Sequence, residues 1–136
     1  MDFDNSLKIA AAGLKVQSGR MRIIAENLAN ADSAARAPGA DPYRRKIPTV
    51  TNSFDRELGA ELVKLGRVAP DKSDFNIRYE PGHPAADDNG YVKYPNVSTL
   101  IEAVDMHQAQ RTYEANLNVV SSTRQMMQRT VDILKG

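Results

Sequence analysis

Few residues of this chain have types and spacing that could do chemistry. The run Asp87-Asp88-Asn89-Gly90 has the acids and the Asn-Gly step of a calcium loop, but it lacks the alternating ligands and the bidentate glutamate that such a loop requires. His83 and His107 have no second histidine or acid at metal-ligand spacing. We therefore interpret the acidic run as a solvated turn, His83 as a loop residue and His107 as a surface or interface residue.

The densest basic cluster is Arg44-Arg45-Lys46, which follows Tyr43 and could contact a phosphate backbone. No aromatic platform or recognition helix accompanies it, and residues 32–96 hold ten acidic side chains against ten basic ones. The whole chain of 136 residues carries a formal charge of only +1. We therefore expect this cluster to form salt bridges at a subunit contact or to face solvent, and we expect no nucleic-acid partner.

Signatures of catalysis are missing from the sequence. There is no nucleophile elbow, no glycine-rich phosphate loop and no arrangement of paired acids. The absence of cysteine excludes disulfides and thiolate metal sites. We predict a protein that is not an enzyme and that uses no cofactor, metal or small-molecule substrate. An enzyme of mixed fold is the third possibility, after the two non-catalytic functions described below.

Two groups of polar residues interrupt segments with a helical pattern. Asn27 and Asn30 close the segment Ala25-Glu-Asn-Leu-Ala-Asn-Ala31, and the second group comprises Arg111, Tyr113, Glu114 and Asn116. Asparagine is unfavourable inside a helix because its amide competes with the backbone for hydrogen bonds. One hypothesis is that the amides hydrogen-bond across a packed seam and fix its register, as single polar residues do in coiled coils. The alternative, on propensity alone, is that they are exposed.

The first of these groups lies on a predicted N-terminal helix that runs from Ser6 to Asn30. Its apolar residues fall seven apart, which is the spacing of a coiled-coil seam: Leu7, Leu14, Met21 and Leu28. Ser6 is a suitable N-cap. Two glycines would each weaken an isolated helix by roughly 1 kcal/mol, so we expect this helix to require a partner.

The second group lies on a predicted C-terminal helix from about Val97 to Leu134. Pro95 bars an earlier helix interior, and Thr99 followed by Glu102 fits a capping box. Residues on one face follow at three- and four-residue steps: Met106, Ala109, Tyr113, Leu117, Val120, Met127, Val131 and Leu134. Such a stripe must be buried against another helix of this chain or of a neighbouring copy.

The segment between the two helices contains all seven prolines of the chain, which exclude long helices there. Residues 75–79 alternate as a half-buried strand does, and residues 91–94 form a second extended piece after the turn signal Asn89-Gly90. Residues 55–66 have helically spaced leucines, so one or two helical turns are expected there. We interpret the whole segment as a small β-containing insert.

The predicted fold is mainly α, with long N- and C-terminal helices that pair in coiled-coil fashion and a small, proline-rich, β-containing insert between them. The corresponding divisions are residues 1–31, 32–96 and 97–136. The predicted assembly interface comprises Leu7, Leu14, Met21, Leu28, Asn27, Asn30, Arg111, Tyr113, Glu114, Asn116, Leu117, Val120, Met127, Val131 and Leu134.

The N-terminal sequence does not read as a signal peptide, because Lys8, Lys15, Arg20 and Arg22 interrupt its apolar residues. No window of about 20 apolar residues is long enough to cross a membrane. By themselves these features predict a cytoplasmic protein. A cytoplasmic self-associating helical module, such as an adaptor or a secretion chaperone, is therefore one alternative for the function.

The polar groups also resemble the signature of the bacterial flagellar axial proteins, which form the rod and the hook. The run Glu26-Asn-Leu-Ala-Asn-Ala31 resembles the Asn-(Ile/Leu)-Ala-Asn end of that family's first helix, and Arg111-Thr-Tyr-Glu-Ala-Asn116 resembles the core of its last helix. Within the family, Pro42-Tyr-Arg-Arg-Lys46 and Tyr91-Val-Lys-Tyr-Pro-Asn-Val97 followed by Glu102-Ala-Val-Asp-Met106 resemble the proximal rod members. Residues 52–80 match no motif of the family.

This resemblance implies a non-catalytic subunit of the flagellar basal-body rod, the drive shaft that crosses the periplasm. It implies terminal helices that pair within and between subunits into a helical tube around an export channel, with copies of the chain and other rod proteins as partners. It also implies passage through the flagellar type III export apparatus without cleavage of a signal. An uncleaved export route would reconcile the missing leader with a periplasmic position and a role in motility.

Overall fold

Two long helices flank a segment of short strands in a computed structural model of the chain, which describes residues 2–136. Helix α1 spans Phe3–Ala29 and helix α2 spans Thr99–Lys135. The strands are β1 (Lys46–Ile47), β2 (Val50–Asp55), β3 (Ala60–Leu65), β4 (Ala69–Pro70), β5 (Asn76–Tyr79) and β6 (Tyr91–Tyr94). The two terminal helices and the β-containing segment between them are confirmed. The helices hold only 27 and 37 of the 136 residues, so a mainly α chain is not confirmed.

Helix α1 begins at Phe3, before its predicted cap Ser6. Asp2 is the cap, because its Oδ1 accepts a hydrogen bond from the Asn5 N–H at 3.2 Å. Ser6 lies in the second turn, and its hydroxyl donates to the Asp2 carbonyl at 3.2 Å. Asp4 adds a negative charge in the first turn, where the helix dipole favours one. The prediction of Ser6 as the N-cap is therefore wrong, because an earlier carboxylate satisfies the helix start.

Helix α2 is capped by Ser98 rather than by the predicted pair of Thr99 and Glu102. The Ser98 Oγ accepts from the Ile101 N–H at 3.5 Å, and the Ser98 carbonyl accepts from the Glu102 N–H at 3.0 Å. The Glu102 carboxylate is buried and hydrogen-bonds to other segments of the chain. The predicted capping box is therefore wrong, because this side chain has partners that a local pattern does not reveal.

The two extended pieces that the sequence predicted are β5 and β6, and they form an antiparallel pair with Tyr79 opposite Tyr91. All four residues of β5 are exposed, so the half-buried alternation expected there is wrong. The two tyrosine rings pack edge to face with their centroids 5.3 Å apart. Gly90 directly precedes β6 and has a φ of +84°, a conformation that favours glycine. The predicted turn at Asn89-Gly90 is therefore confirmed.

Residues 55–66, for which helical turns were predicted, instead take part in an antiparallel hairpin of β2 and β3. Asp55 ends β2 and organises the turn, because its Oδ1 accepts from the N–H groups of Glu57 and Leu58 at 2.9 and 3.1 Å. The prediction was wrong because six residues of β3 pair with six of β2, and this pairing outweighs the helical spacing of three leucines. A second short pair joins β1 to β4.

Contacts divide the chain into two compact units. Unit 1 comprises the residues up to Met21 together with 49–66 and 107–136, and unit 2 comprises 22–48 and 67–106. Each helix therefore contributes residues to both units. Among residues 2–136, no helix combines the length and the apolar character that crossing a membrane requires.

Buried apolar side chains are small in unit 1, whereas unit 2 also buries Ile23 and Ile24. The buried residues of unit 1 include Ala10, Val16 and Ala109. Leu65 of β3 packs on α1 at Gly19, where an added Cβ would lie 2.8 Å from Leu65 Cδ2. The buried cluster of unit 2 consists of Ala35, Ala85, Val92 and Tyr94. Alanines bury little area, so polar contacts add to the apolar packing that holds these segments.

Replacing Gly90 by alanine should lower the free energy of unfolding by about 2 kcal/mol, because an L-residue is strained at a φ of +84°. The new Cβ would also lie 2.9 Å from the Tyr79 ring. Gly82→Ala is the matched control, since an added Cβ at Gly82 meets no atom within 4 Å. Urea unfolding followed by circular dichroism measures both variants, and equal stability of the two would contradict the assigned turn.

Candidate assembly site

The side chain of Asn27, in the last turn of α1, is completely buried and takes part in four hydrogen bonds. Its Nδ2 donates to the Lys46 carbonyl at 2.8 Å and to Glu102 Oε2 at 3.4 Å. Its Oδ1 accepts from the Tyr43 hydroxyl at 2.7 Å and from the Lys46 N–H at 3.0 Å. The amide thereby uses its full capacity and joins α1 to residues 43–46 and to the first turn of α2. The alternative that Asn27 is exposed is wrong.

Glu102 places a carboxylate inside unit 2, where its side chain is 1% exposed. Arg45 donates from Nε to Glu102 Oε1, and its two terminal nitrogens lie 3.3 Å from Asp71 Oδ2 and 3.7 Å from Asp105 Oδ2. A buried carboxylate without a cation would cost several kcal/mol. The placement of Arg45 therefore decides whether this arrangement is stable.

A second amide, that of Asn96, fixes the backbone at Arg45. Its Oδ1 accepts from the Arg45 N–H at 2.8 Å, while its Nδ2 donates to the carbonyls of Asp71 and Ser73 at 3.0 and 3.2 Å. Within residues 2–136, every buried side-chain nitrogen and oxygen has a hydrogen-bond partner. We use the term polar cluster for Asn27, Tyr43, Arg45, Asp71, Asn96 and Glu102.

The surroundings of the polar cluster raise the pKa of Tyr43 and lower the pKa of Asp71. Burial, together with the negative charges of Glu26 and Glu102, raises the pKa of Tyr43 to about 12. Hydrogen bonds from Ser73 lower the pKa of Asp71. At neutral pH Tyr43 is therefore a neutral hydrogen-bond donor and Asp71 a charged acceptor, as their contacts require.

The basic run Arg44-Arg45-Lys46 makes its contacts within the chain. Arg44 lies over the Phe75 ring, with its Cζ 4.1 Å from the ring centroid, and Lys46 Nζ pairs with Glu26 Oε1 at 2.5 Å. The prediction that this run joins subunits or faces solvent is therefore wrong for Arg45, which bonds to a buried carboxylate of its own chain.

Five members of the polar cluster were not predicted as site residues: Tyr43, Arg45, Asp71, Asn96 and Glu102. Arg45 and Glu102 are separated by 57 positions, and no periodicity relates residues at that distance. The runs that resemble the proximal rod members do contain Arg45, Asn96 and Glu102. A further local signal is that Asn96 stands between Pro95 and Val97, both of which are buried. A polar residue inside such an apolar run indicates a buried amide with specific partners.

In unit 1, Gly13 allows α1 and α2 to approach each other closely. A Cβ added at Gly13 would lie 2.7 Å from Asn116 Nδ2, a distance that real Cβ atoms do not show. Asn116 therefore packs its amide directly against the α1 backbone. From the sequence, the glycines of α1 were expected only to weaken the helix. The absence of a side chain at Gly13 makes room for this contact.

The other residues of the predicted interface differ in exposure between the two helices. The members on α1 are half-buried: Leu7, Leu14, Met21, Leu28 and Asn30. On α2, Tyr113 and Val120 are half-buried, while the remaining members are exposed: Arg111, Glu114, Leu117, Met127, Val131 and Leu134. Among these exposed members, the apolar side chains range from 37% exposed at Met127 to 82% at Leu134. In the single chain this face of α2 is therefore open and could contact a partner.

Comparison with known proteins relates the chain to one family. Residues 88–133 match a family model described as "Flagellar basal body rod FlgEFG protein C-terminal". The chain is 52% identical to the "Flagellar basal-body rod protein FlgC" of Agrobacterium fabrum over 129 residues, which cover 95% of this chain and 93% of that protein. The proteins of the same name from Salmonella typhimurium and Bacillus subtilis are 40% and 35% identical, over 95% and 96% of this chain and 96% and 97% of theirs.

Replacing Asn27 by alanine should destabilise the chain by about 2–4 kcal/mol, because the Tyr43 hydroxyl and the Lys46 N–H and carbonyl then lose a buried partner. Asn30→Ala is the matched control. The Asn30 amide donates to the Glu26 carbonyl one turn earlier, so its loss should cost less than about 1 kcal/mol. Urea unfolding of both variants measures the difference, and equal losses would show that the buried amide has no special role.

Alkaline pH should destabilise the chain through Tyr43. Its folded-state pKa of about 12 exceeds the ordinary value of 10.0, so the stabilisation is complete below pH 10 and is lost as the pH rises toward 12. Tyr43→Phe should be less stable at neutral pH, but its stability should fall less over this range because it has no ionisable hydroxyl. Unfolding free energies between pH 8 and about 12 test this; parallel declines in the two proteins would refute it.

Proposed function

The chain belongs to the FlgC family of flagellar basal-body rod proteins, and from that premise we propose how its copies form the rod. It is a structural subunit of the flagellar basal body. We propose that copies assemble helically with other rod proteins into the proximal rod, which crosses the periplasm. There they transmit torque for motility and enclose the export channel. The role is non-catalytic and requires no cofactor or metal.

The observation that carries this proposal is the exposed apolar face of α2. Leu117, Val131 and Leu134 are 46%, 43% and 82% exposed in the single chain. Burying a leucine or valine stabilises a contact by about 1.5–3 kcal/mol. A helix of a neighbouring copy that covers this face would bury several such side chains, and each would stabilise the contact between the copies. We propose head-to-tail seams of this kind. They do not close into a ring and therefore extend into a filament.

We further propose a division of roles along the chain. Residues 1–31 and 97–136 form the rod core, and residues 32–96 pack outside it. The chain reaches the rod through the flagellar type III export apparatus, without cleavage of a signal. The half-buried heptad residues of α1 and the exposed residues of α2 are the proposed seam.

Replacing Leu117 by aspartate should abolish swimming without lowering the amount of protein in the cell. Leu117 is 46% exposed, so the single chain tolerates a charge there, whereas the proposed seam would bury that charge unpaired. Ser122→Asp is the matched control, because five residues place it about 140° around the helix axis. Swarm diameter and immunoblots, in a strain that lacks its own copy, measure both effects.

Normal swimming of the Leu117→Asp variant would contradict the proposed seam. Mass spectrometry of purified basal bodies, stripped of filament and hook, provides the second readout. Absence of the unmodified chain from basal bodies that contain other rod proteins, together with a closed dimer in solution, would instead favour the cytoplasmic adaptor.

A further inference from the structure

A groove with a volume of about 610 Å³ lies on unit 2, and the role of the polar cluster does not account for it. It is bounded by the last turns of α1, by residues 43–46 and by β4 with the residue that precedes it. Ile23, Val68 and Ala69 give it apolar walls. A groove of this volume accepts a large apolar side chain together with flanking backbone.

The rim of the groove carries an excess of two positive charges. Arg22, Arg44 and Lys46 line it, and Glu26 is the single acid. Glu26 pairs with Lys46 at 2.5 Å, whereas the Arg44 guanidinium donates to two backbone carbonyls and keeps its charge unneutralised. Arg22 is exposed and forms no ion pair with any residue of 2–136. The groove therefore favours an acidic occupant with an apolar anchor.

The turn of the β2–β3 hairpin has the complementary chemistry. Residues 54–61, which we call the acidic turn, carry Asp55, Glu57 and Glu61 against a single cation, Arg56, and so have an excess of two negative charges. Phe54 at its start is 62% exposed and so offers an apolar anchor beside these charges. The turn is held in shape by the hydrogen bonds that Asp55 accepts.

We propose that the groove of one copy binds the acidic turn of a second copy, with Phe54 against Ile23 and Val68 and with Glu57 beside Arg22. This inference rests on the proposed function, of which it names one contact between subunits. Because the groove and the turn are different surfaces of the same chain, the contact is heterologous and adds copies head to tail.

Charge also excludes another apolar segment of the chain as the occupant. The last part of α2 exposes Ile133 and Leu134, but it carries Arg124, Arg129 and Lys135 against the single acid Asp132. A segment with that excess of positive charge would meet the like charges of the groove rim. The acidic turn offers the same kind of apolar anchor with the opposite charge.

Photocrosslinking in assembled basal bodies tests the occupant directly. Val68→p-benzoylphenylalanine places a photoreactive group in the groove wall at a side chain that is 37% exposed, and Tyr79→p-benzoylphenylalanine is the control at an exposed position outside the groove. After irradiation, mass spectrometry should identify residues 54–61 of a second copy joined to position 68 and not to position 79. A crosslink to another protein, or to another segment of this chain, would overturn the inference.

Charge reversal provides the second arm of the experiment. Arg22→Glu should lower the yield of that crosslink about fivefold, and adding Glu57→Arg to the same chain should restore it, because each contact then again joins opposite charges. A loss that the second substitution does not restore would overturn the inference. Absence of the unmodified chain from basal bodies would overturn the proposed function as well, whereas its presence without the crosslink would overturn this contact alone.

Discussion

A carboxylate inside a small protein requires a cation beside it, and Glu102 imposes that requirement on unit 2. The cation is Arg45, whose backbone N–H is held by Asn96 and whose guanidinium also lies near Asp71 and Asp105. Asn27 donates a hydrogen bond to the second carboxylate oxygen of Glu102 and so joins the end of α1 to the polar cluster. Loss of one partner would leave a buried charge or dipole unpaired, which makes the arrangement specific rather than merely compact.

That specificity matters because the apolar cores are modest. Unit 2 buries two alanines, a valine and a tyrosine at its centre, and such side chains tolerate many alternative packings. Hydrogen bonds with fixed geometry select one of them. The larger apolar side chains of α2, such as Leu117 and Leu134, remain exposed. Polar residues therefore help to order the single chain, while the exposed apolar residues of α2 are available for contacts between copies.

The sequence predicted those features of the fold that depend on local pattern. The helical spacing of apolar residues located both helices, and the Asn89-Gly90 signal located the turn before β6, because neighbours along the chain determine these elements. The hairpin of residues 50–65 was missed because pairing between strands outweighed a helical spacing of leucines. Within the site, helix propensity identified Asn27 as unusual, but its bond to Glu102 spans 75 positions, and no local pattern encodes a contact at that distance.

Two buried side-chain amides, those of Asn96 and Asn27, hold the backbone of residues 45 and 46. Amide hydrogen exchange of the full chain, resolved to single residues, tests this arrangement most directly, because the Arg45 N–H donates to Asn96 Oδ1 and the Lys46 N–H donates to Asn27 Oδ1. Exchange at these two amides should be among the slowest in unit 2, and the two rates should be similar. Exchange there as fast as in the exposed turn at residues 56 and 57 would contradict the account.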